Sequence, residues 1–182
     1  MRKRSNHSIK RTCLRQAAYV KRQASYPMPS PIVLQFKSTL RSSREEVWAW
    51  ITSVEGITRE TMPFFRMTTP AGIRSLTDVK FVSGKKLFRS VIFFGGLLPL
   101  DYSDLTLIDL KQDEGFKECS PMFSMHCWQH ERWIRNADQD GCVDLIDTLT
   151  FEPRFLRAFT GWLVNRIFVH RHAVLRAELK AA

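Results

Sequence analysis

Residues 125–152 read MHCWQHERWIRNADQDGCVDLIDTLTFE, and this stretch predicts an antiparallel hairpin. Two runs with alternating apolar and polar residues, 125–135 and 142–152, flank the loop sequence Asn-Ala-Asp-Gln-Asp-Gly. Period-two alternation is typical of half-buried strands, and Gly141 near the end of the loop supplies the positive φ that such a turn needs. The fold is therefore expected to contain a long two-stranded ribbon in the second half of the chain.

The pairing of the two strands predicts which side chains share a face. With the turn centred between residues 138 and 139, the numbers of paired residues sum to about 277 under simple antiparallel pairing. This register places His130 opposite Asp147 and Trp128 opposite Leu149. Arg132 lies on the same face, which is otherwise mostly apolar, while the opposite face is polar. The inner face of the hairpin therefore carries three charged or titratable groups among apolar ones.

Two interpretations of this trio stay open. Burying such groups unpaired costs several kcal/mol, roughly, so they are expected to pair with one another or to contact water in a cavity. In the functional interpretation they orient the polar head of a ligand, or His130 and Asp147 act as an acid/base pair. In the structural interpretation they form a satisfied polar cluster that fixes strand register, and a one-residue slip in register would undo either argument.

The end of the chain, residues 154–182, predicts one long helix. The stretch contains no proline, and about 25 residues of helix would be roughly 38 Å long, enough to cross a sheet. Arg166 and His170 share a helix face. The cations at 170–172 are expected to be solvated or to complement the helix dipole, and His170 and His172 point too far apart to chelate a metal. The apolar residues at helical spacing are Phe155, Phe159, Trp162, Leu163, Ile167 and Val174.

Upstream, a strand and two short helices come first. Residues 32–40 alternate as a half-buried strand, and Ser42 and Ser43 offer overlapping Ser-x-x-Glu capping boxes for a helix that ends at Gly56. A second short turn follows over 57–62. Further strands are predicted at 64–69, 78–82, 105–110 and 116–120. Residues 87–100 fit either a buried strand with a bulge at Gly95-Gly96 or a short helix stopped by Pro99.

The net charge of +10 belongs to an N-terminal extension. Residues 1–31 hold eight of the 28 basic residues and no acid, so 20 basic and 18 acidic residues remain in the rest of the chain. A nearly neutral domain at 32–182 argues against nucleic-acid binding. Residues 1–31 are expected to be a disordered tail or an over-extended reading frame, with Met28 as the true start, and an organellar transit peptide is the alternative.

The remaining composition indicates a cytoplasmic protein without a cofactor. The four cysteines form no C-x-x-C pair, so reduced thiols are expected. No apolar run approaches the roughly 20 residues needed to span a bilayer. There is no Gly-rich phosphate loop, no Gly-x-Ser-x-Gly and no paired metal-ligand spacing, which leaves no motif for a cofactor, a metal or a nucleophile–base pair.

The order of these elements, together with five short phrases, resembles the START-like superfamily, also labelled SRPBCC or polyketide cyclase/dehydrase-like. The likeness covers about residues 32–180. The phrases, in order, are LRSSREEVW at 40–48, GFKE at 115–118, WQHER at 128–132, DTLTFEP at 147–153 and FVHRH at 168–172.

The resemblance implies an α+β helix-grip fold, in which a curved antiparallel sheet wraps the C-terminal helix around a cavity for a small apolar or amphipathic ligand. Lipid-, sterol- and polyketide-like molecules are the expected class. The alternatives are a cyclase or dehydratase that uses His130 and Asp147, and a membrane-surface or protein-interaction module that uses residues 87–100 and the basic tail. Whether the protein is an enzyme stays open. The predicted ligand contacts are Trp128, His130, Arg132, Asp147, Leu149, Phe159, Trp162, Leu163 and Arg166.

Overall fold

A computed structural model describes residues 30–180 of the 182-residue chain. The described residues form seven strands and three α-helices, in the predicted coarse order of one strand, two short helices, a run of strands and one long helix. The strands are β1 (Ile32–Leu40), β2 (Phe65–Met67), β3 (Lys86–Phe94), β4 (Leu98–Lys111), β5 (Gly115–Cys119), β6 (Met125–Asn136) and β7 (Val143–Pro153). The helices are α1 (Arg44–Thr52), α2 (Val54–Thr61) and α3 (Arg157–Glu178), with a 3₁₀ turn at Leu76–Asp78.

The strands form one antiparallel sheet in the order β1-β7-β6-β5-β4-β3-β2. The first strand therefore lies at one edge, next to the last strand, and the connections between β3 and β7 are hairpins or short turns. The sheet curls as a half-barrel, and α3 packs on its inner side against β1 and β7. The predicted α+β class, with two short helices after the first strand and a long C-terminal helix, is confirmed.

The β6–β7 register differs by two residues from the predicted one. Arg132, not His130, pairs with Asp147, and His130 pairs with Leu149. The reason is that β6 continues to Asn136 and β7 begins at Val143, so that both ends of the loop, and with them its centre, lie one residue later than predicted. Because the shift is even, the same side chains stay on the same face.

Three local predictions are wrong. Residues 79–82 form no strand and follow the 3₁₀ turn instead. Residues 87–100 are neither one bulged strand nor a helix, because the glycines at 95 and 96 adopt positive φ and reverse the chain between β3 and β4. The first helix ends before Gly56, since Ser53 caps both the end of α1 and the start of α2, where its Oγ accepts from the Gly56 N–H. At the start of α1, Ser43 and Glu46 do form the predicted capping box.

The buried stripe of α3 differs from the predicted one. Its buried positions are 164, 167, 168, 171, 172 and 175, a spacing of three and four that marks one helix face. Two members of the predicted apolar face, Phe159 and Trp162, are more than half exposed, at 54% and 57%. Arg171 and His172, predicted to be solvated, are buried with 8% and 3% of their surface exposed. Their burial follows from their place between Phe168 and Leu175 in the helical repeat.

The core has two apolar clusters that flank the polar side chains of the inner face. One cluster joins α1, five of the strands and the far end of α3 around Leu107 on β4, Ile134 on β6 and Leu175. The other joins the start of α3 to β1, β6 and β7 around Leu149, Phe151 and Phe168. Side chains that lie between the clusters are therefore held from both sides.

The predicted basic tail lies outside the described residues, apart from Ser30 and Pro31. Within residues 30–180 no helix is long and apolar enough to cross a membrane. At the β3–β4 turn, Leu97 and Leu98 are 83% and 66% exposed. This turn belongs to the segment predicted to contact a membrane surface or a protein, and that contact stays a prediction.

Candidate functional site

A cavity of about 390 Å³ lies between the inner face of the sheet and the first half of α3. Its walls are mostly apolar, from Phe65 and Met67 on β2 and Met125 and Trp128 on β6 to Leu163 and Ile167 on α3. Five large side chains that contribute to its wall are themselves more than half exposed, which places them at its opening. They are Leu100, Phe123, Phe155, Leu156 and Phe159.

A smaller recess of about 100 Å³ adjoins the cavity and shares part of its wall. The shared side chains are Thr61, Met67, Glu118, His130 and Arg171. Four of the five are polar or charged, whereas the remainder of the wall is mostly apolar, with Asp101, Ser103, Ser124 and Thr160 as its polar members. The polar groups therefore gather where the cavity meets the recess, which we call the inner end.

Asp147 lies behind the inner end and accepts four hydrogen bonds. Arg132 holds it in bidentate fashion, with Nε 2.8 Å from Oδ1 and the second nitrogen, NH2, 3.0 Å from Oδ2. His130 Nε2 lies 3.0 Å from Oδ1 and His172 Nε2 lies 3.0 Å from Oδ2. Since an ionised carboxylate only accepts, both histidines carry their hydrogen on Nε2 toward it.

Glu60 on α2 is the second buried acid of the cluster. It accepts from Arg132 NH2 at 2.8 Å, from Arg171 Nε at 3.0 Å and from the indole N–H of Trp50 at 2.9 Å. The two acids and two arginines thus alternate in one chain, from Asp147 through Arg132 and Glu60 to Arg171. Each buried charge has an opposite charge beside it, as such charges require.

The neighbouring charges outweigh burial in setting the pKa values of the cluster. Burial by itself would raise the pKa of Asp147, but Arg132, His130 and His172 hold it well below its usual range. For Glu60 burial again opposes ionisation, and Arg132 and Arg171 lower its pKa. Burial would lower the pKa of Arg132, and the two carboxylates raise it instead. The cluster therefore stays ionised although it is out of water.

The two histidines of the cluster differ in the surroundings of their second ring nitrogen, Nδ1. His172 Nδ1 lies 2.8 Å from Ser38 Oγ, and Arg176 donates to that oxygen at 3.1 Å, so the serine hydroxyl donates to the imidazole. His130 Nδ1 instead faces Glu118, whose Oε2 is 3.9 Å away, beyond hydrogen-bond distance. Edge contacts with Phe116 and Phe168 fix the His130 ring. His130 therefore presents one nitrogen toward the cavity and His172 does not.

The predicted site residues fall into three groups. Trp128, His130, Phe159 and Leu163 line the cavity. Arg132, Asp147 and Leu149 are fully buried and lie outside its wall, the first two directly behind His130. Trp162 and Arg166 are exposed on α3 and also lie outside the wall.

Four residues at or near the inner end were missed from the sequence: Ser38, Glu60, Glu118 and Arg171. A Glu in a short helix before a proline is usually solvated, and nothing in the sequence distinguishes Glu60 from that case. Glu118 is paired with His130 on the adjacent strand, which only a correct β5–β6 register reveals. The burial of Arg171 was predictable from the sequence, since Arg171 continues the three-and-four spacing of buried apolar residues on α3.

None of the described residues forms a group of three or more His, Cys, Asp or Glu side chains arranged to hold a metal ion. The donors around Asp147 are instead hydrogen-bonded to its carboxylate. The inner end thus carries hydrogen-bonding side chains in an otherwise mostly apolar wall.

Comparisons with known proteins agree with this architecture. A family model described as "Domain of unknown function (DUF8410)" matches residues 38–179. No curated protein matches the sequence. Among solved structures, protein CV1439 from Chromobacterium violaceum is 11% identical, with a TM-score of 0.59 over 85% of this chain and all of that one.

Two further solved structures carry names that bear on the fold. A START superfamily protein from Mycobacterium smegmatis is 8% identical, with a TM-score of 0.56 over 81% of this chain and 97% of that one. Ara h 8.0201 is 9% identical, also with a TM-score of 0.56, over 82% of this chain and 97% of that one. At such identities the likeness concerns the fold alone, and it confirms the START-like resemblance. The chain belongs to the family described as "Domain of unknown function (DUF8410)", and its fold is of the START-like, helix-grip type.

Proposed function

We propose that this protein binds a small apolar or amphipathic ligand, of a lipid-, sterol- or polyketide-like kind, in the cavity between sheet and α3. One observation carries the proposal: an apolar space of about 390 Å³ ends in a group of four polar side chains, Thr61, Glu118, His130 and Arg171. Ligand sites typically combine an apolar wall of this size with a few convergent polar groups. In this proposal Trp128, Phe159 and Leu163 contact the apolar part of the ligand.

The buried cluster supports this proposal by holding the polar groups still. His130 is fixed by Asp147 on one side and by two phenylalanine edges, and Arg171 is fixed by two hydrogen bonds to Glu60. Groups locked in this way lose little entropy when they bind a ligand. Arg132 and Asp147, predicted as direct contacts, take the role of positioning residues here.

Native mass spectrometry of the full chain, purified without detergent, tests the proposal. We expect a discrete adduct that disappears on denaturation and whose mass identifies the extracted molecule. We also expect the neutral dye Nile red to bind the delipidated protein with a fluorescence increase. A clean mass for the folded protein together with no Nile red binding would refute ligand binding in this cavity.

A second candidate function, acid–base catalysis, is favoured by the orientation of His130. Asp147 holds its Nε2–H, and the other ring nitrogen is directed to the cavity wall beside Glu118, as a general base requires. If the molecule extracted from the protein is a substrate, incubating it with the protein in D₂O will introduce deuterium at a carbon. His130→Ala will then abolish the exchange while binding persists. A simple binding protein will show no exchange, and the same substitution will weaken its affinity.

A further inference from the structure

The charges at the inner end leave no surplus positive charge for an anion. Among the described groups there, Arg132 and Arg171 are balanced by Asp147 and Glu60 through the contacts already given. Glu118 adds a further carboxylate to the cavity wall, and its partners there are the Ser120 hydroxyl, at 2.5 Å, and the distant His130 ring. A ligand carboxylate placed here would face Glu118 with no uncompensated cation, which is unfavourable in a site of low polarity.

The hydrogen-bonding groups at the inner end include both a donor and acceptors. Arg171 donates to Glu60 through Nε and NH2. Its third nitrogen, NH1, makes no hydrogen bond among the described residues and is therefore a donor for a ligand in the cavity. Glu118 Oε2 is an acceptor. In the neutral ring that carries its hydrogen on the nitrogen next to Asp147, His130 Nδ1 is an acceptor as well. A hydroxyl group both accepts and donates and so matches this set, whereas a carboxylate only accepts and an ammonium only donates.

Ser103 adds a second polar position on the same cavity wall. It is 2% exposed, and within residues 30–180 its Oγ has no hydrogen-bond partner. A buried hydroxyl without a partner costs roughly 1–3 kcal/mol, so a ligand oxygen at this position would be stabilising. Ser103 lies on β4, where Asp101 also lines the cavity, whereas Glu118, His130 and Arg171 of the inner end lie on β5, β6 and α3.

We propose that the cavity selects an amphiphile whose head group at the inner end is a hydroxyl and not a carboxylate, with a second oxygen within reach of Ser103. The hydroxyl accepts from Arg171 and donates to Glu118 or His130. The selectivity rests on the proposed ligand-binding function and specifies the chemical class of its ligand. Fatty acids of the same length are rejected by this arrangement, because Glu118 faces their carboxylate without a compensating cation.

Displacement of Nile red from the delipidated full chain at neutral pH tests the selectivity. The competitors are decanol and decanoate, which share one chain length and differ only in the head group. We expect decanol to compete at concentrations at least ~10-fold lower than decanoate, since the carboxylate would face Glu118 without a compensating cation, and such a charge costs more than the 1.4 kcal/mol that corresponds to tenfold. Decanoate that competes as well as decanol, or better, would overturn the selectivity and leave ligand binding intact.

The variant Glu118→Gln is predicted to weaken the preference for decanol over decanoate. Removing this carboxylate will lower the concentration at which decanoate displaces Nile red, relative to that of decanol, by about 5-fold or more. The reason is that the repulsion is gone while Arg171 remains. Glu131→Gln is the matched control, because Glu131 lies on the adjacent strand, pairs with Lys117 and lines neither cavity. An unchanged ratio in Glu118→Gln would overturn the role of Glu118.

The role of Ser103 is tested with decanediols whose second hydroxyl is moved along the chain. One isomer will bind more tightly than decanol, and Ser103→Ala will remove that gain without affecting decanol. If no isomer binds more tightly than decanol, or if the tighter binding persists in Ser103→Ala, the contact between the ligand and Ser103 is refuted. If Nile red and every competitor fail to bind, the proposed ligand-binding function fails with it.

Discussion

Arg132 and Asp147 face each other directly across β6 and β7, and their side chains form a bidentate ion pair that is fully buried. The same arginine reaches Glu60 on α2, and the same aspartate reaches His172 on α3. One pair therefore links the sheet to two helices. The polar cluster is both part of the core and the support of His130 at the cavity wall.

Asp147→Asn will lower the free energy of unfolding by about 3–5 kcal/mol, because it leaves the buried Arg132 without its main counter-charge. The substitution keeps the shape of the side chain, so that the loss measures charge and hydrogen bonding rather than a cavity. Urea unfolding followed by circular dichroism gives the value. Arg89→Gln is the control, since its pair with Asp104 lies at the surface and its loss will cost less than about 1 kcal/mol. Equal losses in the two variants would contradict the role of the buried pair.

The lowered pKa values of Asp147 and Glu60 predict a stability that falls in acid. A group whose folded pKa lies below its unfolded value stabilises the fold above the unfolded pKa, and this stability is lost as the pH falls toward the folded pKa. The loss will begin near pH 5, since unfolded Asp and Glu titrate at about 3.9 and 4.3. Urea unfolding between pH 7 and pH 3 will show a shallower slope in the Asp147→Asn, Glu60→Gln double variant. An unchanged slope would mean that other carboxylates carry the acid sensitivity.

Substitutions of His130 and His172 will distinguish an effect on stability from an effect on ligand binding. Both donate to Asp147, so His130→Gln and His172→Gln will each lower unfolding free energy by about 1–3 kcal/mol. Only His130 lines the cavity, so only His130→Gln will weaken decanol competition against Nile red, by about 5-fold or more. Equal effects of the two variants on decanol competition would show that His130 acts by stabilising the fold and not by contacting the ligand.

Gly115 lies at φ +140, where an added Cβ would meet the backbone of Arg132 and lie 2.9 Å from Trp133 Cα. Gly115→Ala will therefore cost about 3 kcal/mol or more, through backbone strain and a clash that β6 relieves only by moving Arg132. Gly141→Ala is the matched control, with positive φ in the β6–β7 loop but no atom within 4 Å of the added Cβ. Its cost will be about 1 kcal/mol. Thermal unfolding of the two variants compares them, and similar melting temperatures would contradict the packing argument.

Much of the fold was predictable from the sequence because its signals are local. Alternation along 125–135 and 142–152 identified both strands, and the capping box at Ser43 identified the start of a helix. The face that carries His130, Arg132 and Asp147 was also right, because side-chain orientation depends only on whether the register error is even or odd. The pairing within that face was wrong, since the centre of a six-residue loop depends on its backbone conformation and not on composition.

The partners of these residues were less predictable, because they come from distant parts of the chain. Glu60 meets Arg132 across 72 residues and Arg171 across 111, and no spacing rule connects them. Arg171 and His172 were misread because charged residues near a helix end are usually solvated. The periodicity of α3 was the better guide, since positions 164, 167, 168, 171, 172 and 175 form one continuous buried stripe whatever their polarity.

Leu163 offers a direct way to close the cavity without touching the polar cluster. It lies on α3, lines the cavity and is only partly buried, so a larger side chain there has free volume to occupy. Leu163→Trp will reduce Nile red affinity by about 10-fold or more. It will change the unfolding free energy by no more than about 1.5 kcal/mol, because the added ring fills space instead of displacing packed atoms. Val169→Trp is the matched control, because Val169 is on the same helix, is 47% exposed and lines neither cavity. Full Nile red binding in Leu163→Trp, with the control also unchanged, would place the dye outside the cavity and remove the main support for binding between sheet and helix.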